Sequence, residues 1–337
     1  MNRNNNIDFI ITWVDNSDEE WDKKRSEWAG TNNEEGLKHW NDDVSRYRDW
    51  GLLRYWFRGV EKYASWVNKV FFVTDDQKPD WLNTDHPKLV LVNHRDYIPE
   101  NYLPTFNSHC IELNLHRIEE LSDEFVYFND DMYLIKNTAP EDFFKNGLPC
   151  DTAIMKPVKM VQNGIRAEIN DMYVINDYFT LNDFFKNGLS KCINTKYGAK
   201  QISTLLMLPY GTIPGFHIQH LPISYNKETF EEVWAQYGDV LNETCNHKFR
   251  TSTDVNQWLM QYWQFMKGSF SPRSHKIGKA FENAASNEEI LQYVKQQSGK
   301  MICINDSVKR DDFNSLKIQL QEAFASILPE RAEVERY

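Results

Sequence analysis

A chain of 337 residues carrying a formal net charge of −11, with no long basic stretch, is too acidic to read as a nucleic-acid binder. It is long enough to bury one large α/β core or two coupled ones, and its 41% hydrophobic, 26% charged composition excludes a disordered chain. No apolar run reaches the roughly 18 residues of a membrane span, and the polar opening MNRNNN has no secretory apolar core.

Residues 7–14, IDFIITWV, read as a buried first strand that ends in the acidic, turn-rich DNSD from Asp15. A short helix and loop follow over 21–35. Residues 49–64 place Leu52, Leu53, Trp56, Phe57 and Val60 at helical spacing. NKVFFVT, 68–74, is a second strand ending in Asp75 and Asp76, and 88–92 is a third. Residues 107–121 read as a helix, and 124–128 as a fourth strand that ends at Asn129, Asp130 and Asp131. Strands alternating with helices predict a doubly wound, mostly parallel α/β sheet, with helical additions in the C-terminal half.

Three of the four strands end in acids. In a parallel sheet these ends share one rim, the edge where ligands bind. Asp and Asn also favour turns for purely local reasons, and each single strand end is explained that way alone.

The second half is less regular. A strand over 151–160, helices over 182–187, 227–237, 254–266 and 316–328, and a short strand over 301–305 ending at Asp306 are expected, with a Gly/Pro-rich loop over 209–222. No repeat or linker divides the chain. It reads as a single catalytic domain over 1–337, with a nucleotide-binding α/β half over 1–145 and an acceptor half over 146–337 closing the same site.

The five cysteines are scattered, odd in number and without a CxxC pair, which predicts reduced thiols in the cytoplasm and no zinc site. Two adjacent carboxylates, Asp130 and Asp131, suit Mg²⁺ or Mn²⁺ bridging phosphates, or one of them suits a general base. Ile304-Asn305-Asp306 repeats the grammar of strand, Asn, Asp. His217 and His220 lie in the loop at a spacing unsuited to zinc, and one of them suits acid–base work near neutral pH. Arg250 precedes the helix expected at 254, where a guanidinium and a helix N-terminus would both favour phosphate. Thr251 and Asp254 have capping-box spacing, which makes Asp254 structural. His109, Glu112 and His116 form a polar stripe, read as structural. Arg54 and Arg58, with Glu61 nearby, read as a solvated face with local ion pairs. No GxGxxG, Walker A or GxSxG stretch is present.

In combination, IDFIITWVDNSDEEW, RYRDWGLLRYWFRGVEKYASWVNKVFFVTDDQKPDWLN, LPTFNSHCIELNLHRIEELSDEFVYFNDDMYL, HLPISYNKETFEEVW with FRTSTDVN, and ICINDS resemble the four conserved regions of the Stealth hexose-1-phosphate transferases. That family includes bacterial capsule and cell-surface polysaccharide phosphotransferases and the animal N-acetylglucosamine-1-phosphotransferase. Asp15 stands where the animal enzymes carry Asn, as in the bacterial form. The resemblance implies attack of a glycan hydroxyl on the β-phosphorus of a UDP-sugar, release of UMP and formation of a phosphodiester, with Mg²⁺ or Mn²⁺ as cofactor. It implies Asp131, His220, Arg250 and Asp306 as catalytic residues, and the charge neutralisation that phosphoryl transfer needs puts the metal near Asp130, Asp131 or Asp306. Trp13, Asp15, Arg54, Asp75 and Asn129 are the candidates for contacting the nucleotide. Asp131 is favoured as base with His220 next, and the reverse fits nearly as well. The competing reading is a metal-dependent glycosyltransferase that releases UDP. The expected partners are a UDP-sugar and an oligosaccharide or lipid-linked glycan, with peripheral association with the membrane polysaccharide machinery at the inner face.

Overall fold

β-Branched and aromatic stretches build the centre of the molecule, whose computed structural model describes residues 6–15, 17–29, 50–158, 166–281, 286–305 and 313–336. Strands β1 (Ile7–Thr12), β2 (Val70–Thr74), β3 (Leu89–Asn93) and β4 (Glu124–Phe128) run parallel in the order β3-β2-β1-β4. The strand Ile223–Asn226 (β8) closes the β4 side antiparallel. Strands covered on both faces need continuous apolar runs, and β2 and β4 are buried at every position.

Alternation splits the side chains between two cores. Phe9, Ile11, Phe72 and Phe128 face one side, against Trp56 and Phe57 of helix α2 (Leu53–Tyr63). Ile10, Phe71, Phe125 and Tyr127 face the other, against Leu113, Tyr225 and Phe230. The sheet is thus doubly wound and mostly parallel, as its sequence predicts. The buried Asp8 at the start of β1 accepts from Asn68 Nδ2 (2.8 Å), the Lys69 amide (3.0 Å) and the Ser122 amide (2.8 Å). One carboxylate so ties the entries to β2 and β4 onto β1.

After Phe128 the chain leaves this sheet. The short β5 (Met132–Leu134) pairs antiparallel with β11 (Met301–Ile304), which pairs parallel with β10 (Gly278–Phe281). Helix α2 packs close on β5 because Gly59 sits at the contact, where a Cβ would lie 2.8 Å from the Leu134 carbonyl oxygen. A third small sheet joins β6 (Phe144–Lys145), β7 (Leu148–Asp151) and β9 (Ser271–Pro272).

Several boundaries differ from expectation for local reasons. The helix expected over 107–121 stops at Leu113, because Asn114 turns its amide onto the Cys110 carbonyl (2.8 Å), and a 3₁₀ turn Leu115–Arg117 follows. The helix expected from 254 begins at Trp258, because the Asp254 carboxylate is occupied elsewhere. The strand expected over 151–160 lies earlier, at Leu148–Asp151. Helix Phe313–Ile327 and strand β11 form where predicted, and helix Lys227–Asn246 starts where predicted but runs on past the expected end at 237. No helix among the described residues is long and apolar enough to cross a membrane.

The chain end is clamped onto α2. Glu335, its side chain fully enclosed, accepts from Arg58 Nε (2.6 Å) and Nη2 (2.9 Å) and from Arg54 Nη1 (3.2 Å). Arg58 and Lys62 also cap the C-terminal carbonyls of the last helix at Leu328 and Ile327. Removing one partner of an enclosed pair strands the other charge. Glu335→Gln is therefore expected to cost about 2 kcal/mol, discounted for the partly exposed arginines, while leaving turnover unchanged. Urea melts read the loss, and an unchanged midpoint would show that the clamp carries no stability.

Candidate functional site

The strand order reverses between β1 and β4: β2 and β3 lie to one side of β1, and β4 to the other. Ligand crevices in open α/β sheets form at such switch points, beyond the carboxyl ends of the strands. Here the Thr12 hydroxyl at the end of β1 meets the Tyr127 hydroxyl of β4 at 3.1 Å. Asp15, Asp75 with Asp76, and Asp130 with Asp131 follow the neighbouring strands β1, β2 and β4, so the predicted acidic rim is a rim.

The turn after β4 is closed by the Met132 amide on the Asn129 carbonyl (3.2 Å). It leaves Asp130 exposed and Asp131 half-buried. The Ile304 amide donates to the Asp131 carbonyl (2.9 Å), which brings β11 alongside. Cys303 Sγ–H then donates to Asp131 Oδ2 at 3.2 Å. Asp131 Oδ1 is enclosed and has no hydrogen-bond partner among the described residues. His220 enters from the Gly/Pro-rich loop, with Nε2 3.3 Å from the Asn129 amide and its ring edge-on to Trp258. Asp131, His220 and Cys303 hold their ligand atoms within 4.8 Å of one another. His220 adopts φ 46°, a left-handed conformation that is strained for a residue with a Cβ.

Arg250 reaches this rim through a chain of polar groups. Its guanidinium donates to the Ser108 hydroxyl, through Nε at 3.1 Å and through Nη2. Ser108 bonds Glu112, whose Oε1 accepts from Tyr127 at 3.0 Å, and Tyr127 meets Thr12. Burial pushes the Glu112 carboxyl up to about 7, opposed by Arg250 and by the hydroxyls of Tyr127 and Ser108. Asp254 behaves in the opposite way. Burial raises it, but His109 Nδ1 (3.0 Å), His247 Nδ1 (2.8 Å) and Thr251 outweigh burial and hold it well below the usual carboxylate range. With Asn107 Nδ2 at 2.9 Å as well, Asp254 is the hub that fixes the 247–254 segment against helix Ser108–Leu113 (α3).

Two family models match the chain: Stealth protein CR2, conserved region 2, over residues 46–151, and Stealth protein CR3, conserved region 3, over 219–266. The capsular polysaccharide phosphotransferase WcwK of Streptococcus pneumoniae is 40% identical over 98% of both chains. The exopolysaccharide phosphotransferase cps2G of Lactiplantibacillus plantarum is 38% identical over 98% of this chain and 96% of its own. The chain belongs to the Stealth family. It is an enzyme of the phosphotransferase class. A receptor polysaccharide phosphotransferase, WefC of Streptococcus oralis, is 38% identical over 98% of this chain and 99% of its own. The galactosyltransferase LgtC, solved with donor and acceptor sugar analogues, aligns over 97% of this chain and 98% of its own, at 9% identity and a TM-score of 0.37.

The contacts of the site run between the two matched Stealth regions: Asn129 with His220, Ser108 with Arg250, and His109 with Asp254. The other candidates fall as follows. Trp13 packs its ring on Phe72 just past β1, and Asp15 turns its carboxylate to Ser17. Asp75 is taken by Lys24 of helix Glu19–Ala29 at 2.8 Å. Arg54 lies on α2 with Glu335 and over the Trp81 ring, so its described contacts tie it to the chain end. Asp306 lies outside the described residues, although the strand leading to it ends beside Asp131. Arg250 is not at a helix start, since the next helix begins eight residues on, at Trp258.

Sequence reasoning missed Cys303, Glu112 and Asp254 as members of this candidate site. The stripe His109–Glu112–His116 held the signal for Glu112. It divides three ways: His109 to Asp254, Glu112 to Tyr127, and His116 against Phe230, where burial depresses it to about 3.

Two outcomes follow. A carboxyl raised in the fold favours its protonated form, so its contribution is complete below the ordinary 4.5 and is lost as pH rises through about 7. Stability should fall by up to about 3 kcal/mol between pH 4.5 and 8, a few degrees in melting temperature. Glu112→Gln should flatten that slope, and an equal slope in the variant would assign it elsewhere. Cys303→Ala should free Asp131 Oδ2 and lower kcat about tenfold, the value of one buried hydrogen bond, with Cys303→Ser restoring the rate. A serine variant as slow as the alanine one would show that volume, not the donor, matters.

Proposed function

We propose that the chain transfers sugar-1-phosphate from a UDP-sugar to a hydroxyl of a glycan acceptor, releasing UMP and adding a phosphodiester to a capsular or cell-surface polysaccharide. The observation that carries this reading is the meeting of Asp131 and His220 at the switch point, with an enclosed and unpartnered carboxylate oxygen on Asp131. The relatives' names as capsular, exopolysaccharide and receptor polysaccharide phosphotransferases support phosphotransfer in polysaccharide synthesis.

Phosphoryl transfer asks a protein chiefly for positioning and charge neutralisation. In this reading the acceptor oxygen bonds the β-phosphorus while the bond from that phosphorus to the bridging oxygen breaks. UMP departs with the bridging oxygen. His220 takes the acceptor proton on its imidazole, with the Asn129 amide beside Nε2 steadying the ring. Arg250, steered by Ser108, lies against phosphate oxygens, for which a guanidinium is suited. Trp13, Asp15 and Asp75 stand past the ends of β1 and β2, where the uridine would lie.

Mg²⁺ or Mn²⁺ fits the donor set in one way. Such ions take few protein carboxylates, keep waters and share substrate phosphates. Asp131 Oδ1, enclosed and without a partner, suits that role, and Asp130 and Asp306 are the further carboxylates of the ligand set. The imidazole of His220 and the thiol of Cys303 are softer donors that do not belong to it. When bound, the ion would neutralise pyrophosphate charge. With Asp131 committed to the ion and to Cys303, the proton falls to His220. The acceptor is an oligosaccharide or a lipid-linked glycan, and the enzyme works at the cytoplasmic face of the membrane.

Incubation with a UDP-sugar and a glycan acceptor, followed by chromatography of the nucleotide, tests the reaction: UMP is expected, and UDP would replace this reading with glycosyl transfer. Asp131→Asn and His220→Ala should each slow turnover by about 10²–10⁴-fold, and near-normal rates would remove that residue from the chemistry. EDTA should abolish activity and Mg²⁺ or Mn²⁺ restore it.

A further inference from the structure

Helix Gln201–Met207 is amphipathic the wrong way round. Its hydroxyls face inward: Thr204, fully buried, accepts from the Met155 amide (3.0 Å), and Ser203 donates to the Met155 carbonyl (2.7 Å). Its large apolar side chains face out at the spacing of one helical face, Ile202 at 53%, Leu205 at 46% and Leu206 at 68% exposed. Tyr210, at the end of the following turn, is 69% exposed. Monomeric globular proteins expose single apolar side chains freely, but a contiguous apolar ridge marks a contact surface.

The flank of this ridge is basic. Lys156, Lys196 and Lys200 are exposed and form no salt bridge among the described residues, with the buried Glu168 the carboxylate in electrostatic range of Lys156. Lys200 and Lys156 add to burial in depressing His217 to about 4, so the positive field reaches the loop that carries His220. This local sign runs against a net charge of −11. An apolar ridge with a tyrosine at its edge and lysines beside it has the composition of a surface that lies in the headgroup region of an anionic bilayer.

We propose that the face formed by Ile202, Leu205, Leu206 and Tyr210, with Lys156 and Lys200, docks on an anionic lipid bilayer. The ridge is fastened to the reaction site. Met155, which anchors the helix, bridges Phe216, and the Lys156 amide donates to the Gly215 carbonyl (3.0 Å) four to five residues before His220. Docking through this face presents the His220 loop to an acceptor carried at the membrane surface. This deepens the proposed reading by assigning its lipid-borne acceptor a surface. Lipid binding itself does not depend on turnover.

Flotation of the full chain with vesicles of phosphatidylglycerol in phosphatidylcholine, against phosphatidylcholine alone, tests the proposal. The wild type is expected to float with the anionic vesicles and much less with the neutral ones. Leu206→Glu with Tyr210→Glu should lower binding at least tenfold. Lys156→Gln with Lys200→Gln should lower it about fivefold per lysine. Both double variants should keep wild-type turnover of a water-soluble acceptor, which also shows that they fold. Asp131→Asn, dead or alive in turnover, should float like the wild type, so failure of the catalytic reading and failure of this one are read separately. A wild type that ignores anionic vesicles, or a Leu206→Glu/Tyr210→Glu variant that binds as well as wild type, overturns the proposal. So does sedimentation showing a dimer that this variant dissociates, since a second copy would then cover the ridge.

Discussion

The site depends on one strand pairing. The ladder between β1 and β4 runs out at Phe128, and the chain is handed to a different partner, β11, through the Ile304 amide on the Asp131 carbonyl. Had β4 continued, alternation would have sent Asp130 and Asp131 to opposite faces of a buried sheet, at the cost of an unpaired charge. The break removes that conflict: Asp130 lies on the exposed side and Asp131 meets the thiol of Cys303. The pairing is itself held on both flanks, by Trp50 Nε1 on the Ile304 carbonyl (3.2 Å) and by the close seat of α2 at Gly59 on β5. A contact between segments so far apart in the chain costs loop entropy, which the buried apolar residues of β5, β11 and α2 offset.

Behind the rim, buried carboxylates are sorted by what donates to them. Asp254 receives two imidazoles, an amide and a hydroxyl, and stays ionised despite full enclosure. Glu112 receives hydroxyls and sits within range of Arg250, which is not enough to offset burial. The difference bears on Arg250. An ionised glutamate would cancel the guanidinium charge, whereas one protonated over part of the neutral range leaves that charge for the phosphate of the proposed reaction and still orients Ser108 and Tyr127. The neighbouring Asp254 anchors the segment without titrating near neutrality.

How much of this is legible in the sequence follows from the range of each interaction. The parallel strands and the acids at their ends are local properties of apolar runs and turn residues, and they read directly from 7–14, 68–74 and 124–131. The grammar of 304–306 signals a strand end, and the structure sets that end beside Asp131. Side chains that answer to remote partners do not read in this way. Asp254 has a cap's spacing from Thr251, and it does bond Thr251, yet His109 from a distant helix decides its state. Arg54 shows a helical face with a nearby acid, while the carboxylate it meets is Glu335 at the far end of the chain. Cys303 in an apolar strand is indistinguishable from packing until its neighbour is known. The helix at 201–207 is absent from the sequence reading, and it is its docking through Ser203 and Thr204 that turns its apolar face outward.

The loop that brings His220 illustrates how a segment without regular structure can be rigid enough for chemistry. Its backbone is laced to residues 154–158, His217 to Ile154, Lys156 to Gly215 and Val158 to Pro214. A side chain at Gly215, held at φ 131°, would collide with the Lys156 carbonyl at 2.8 Å. From that fixed line the chain turns through the left-handed φ of His220 to aim the ring at Asn129 and Asp131. Such a backbone costs on the order of 1 kcal/mol and persists only where its surroundings impose it. The surroundings here are the edge of the main sheet at β8, which follows three residues later, and the Trp258 ring. In the proposed reaction, an imidazole set in this way need not search for its position when the substrate arrives, which is where a transfer made mostly of alignment gains its rate.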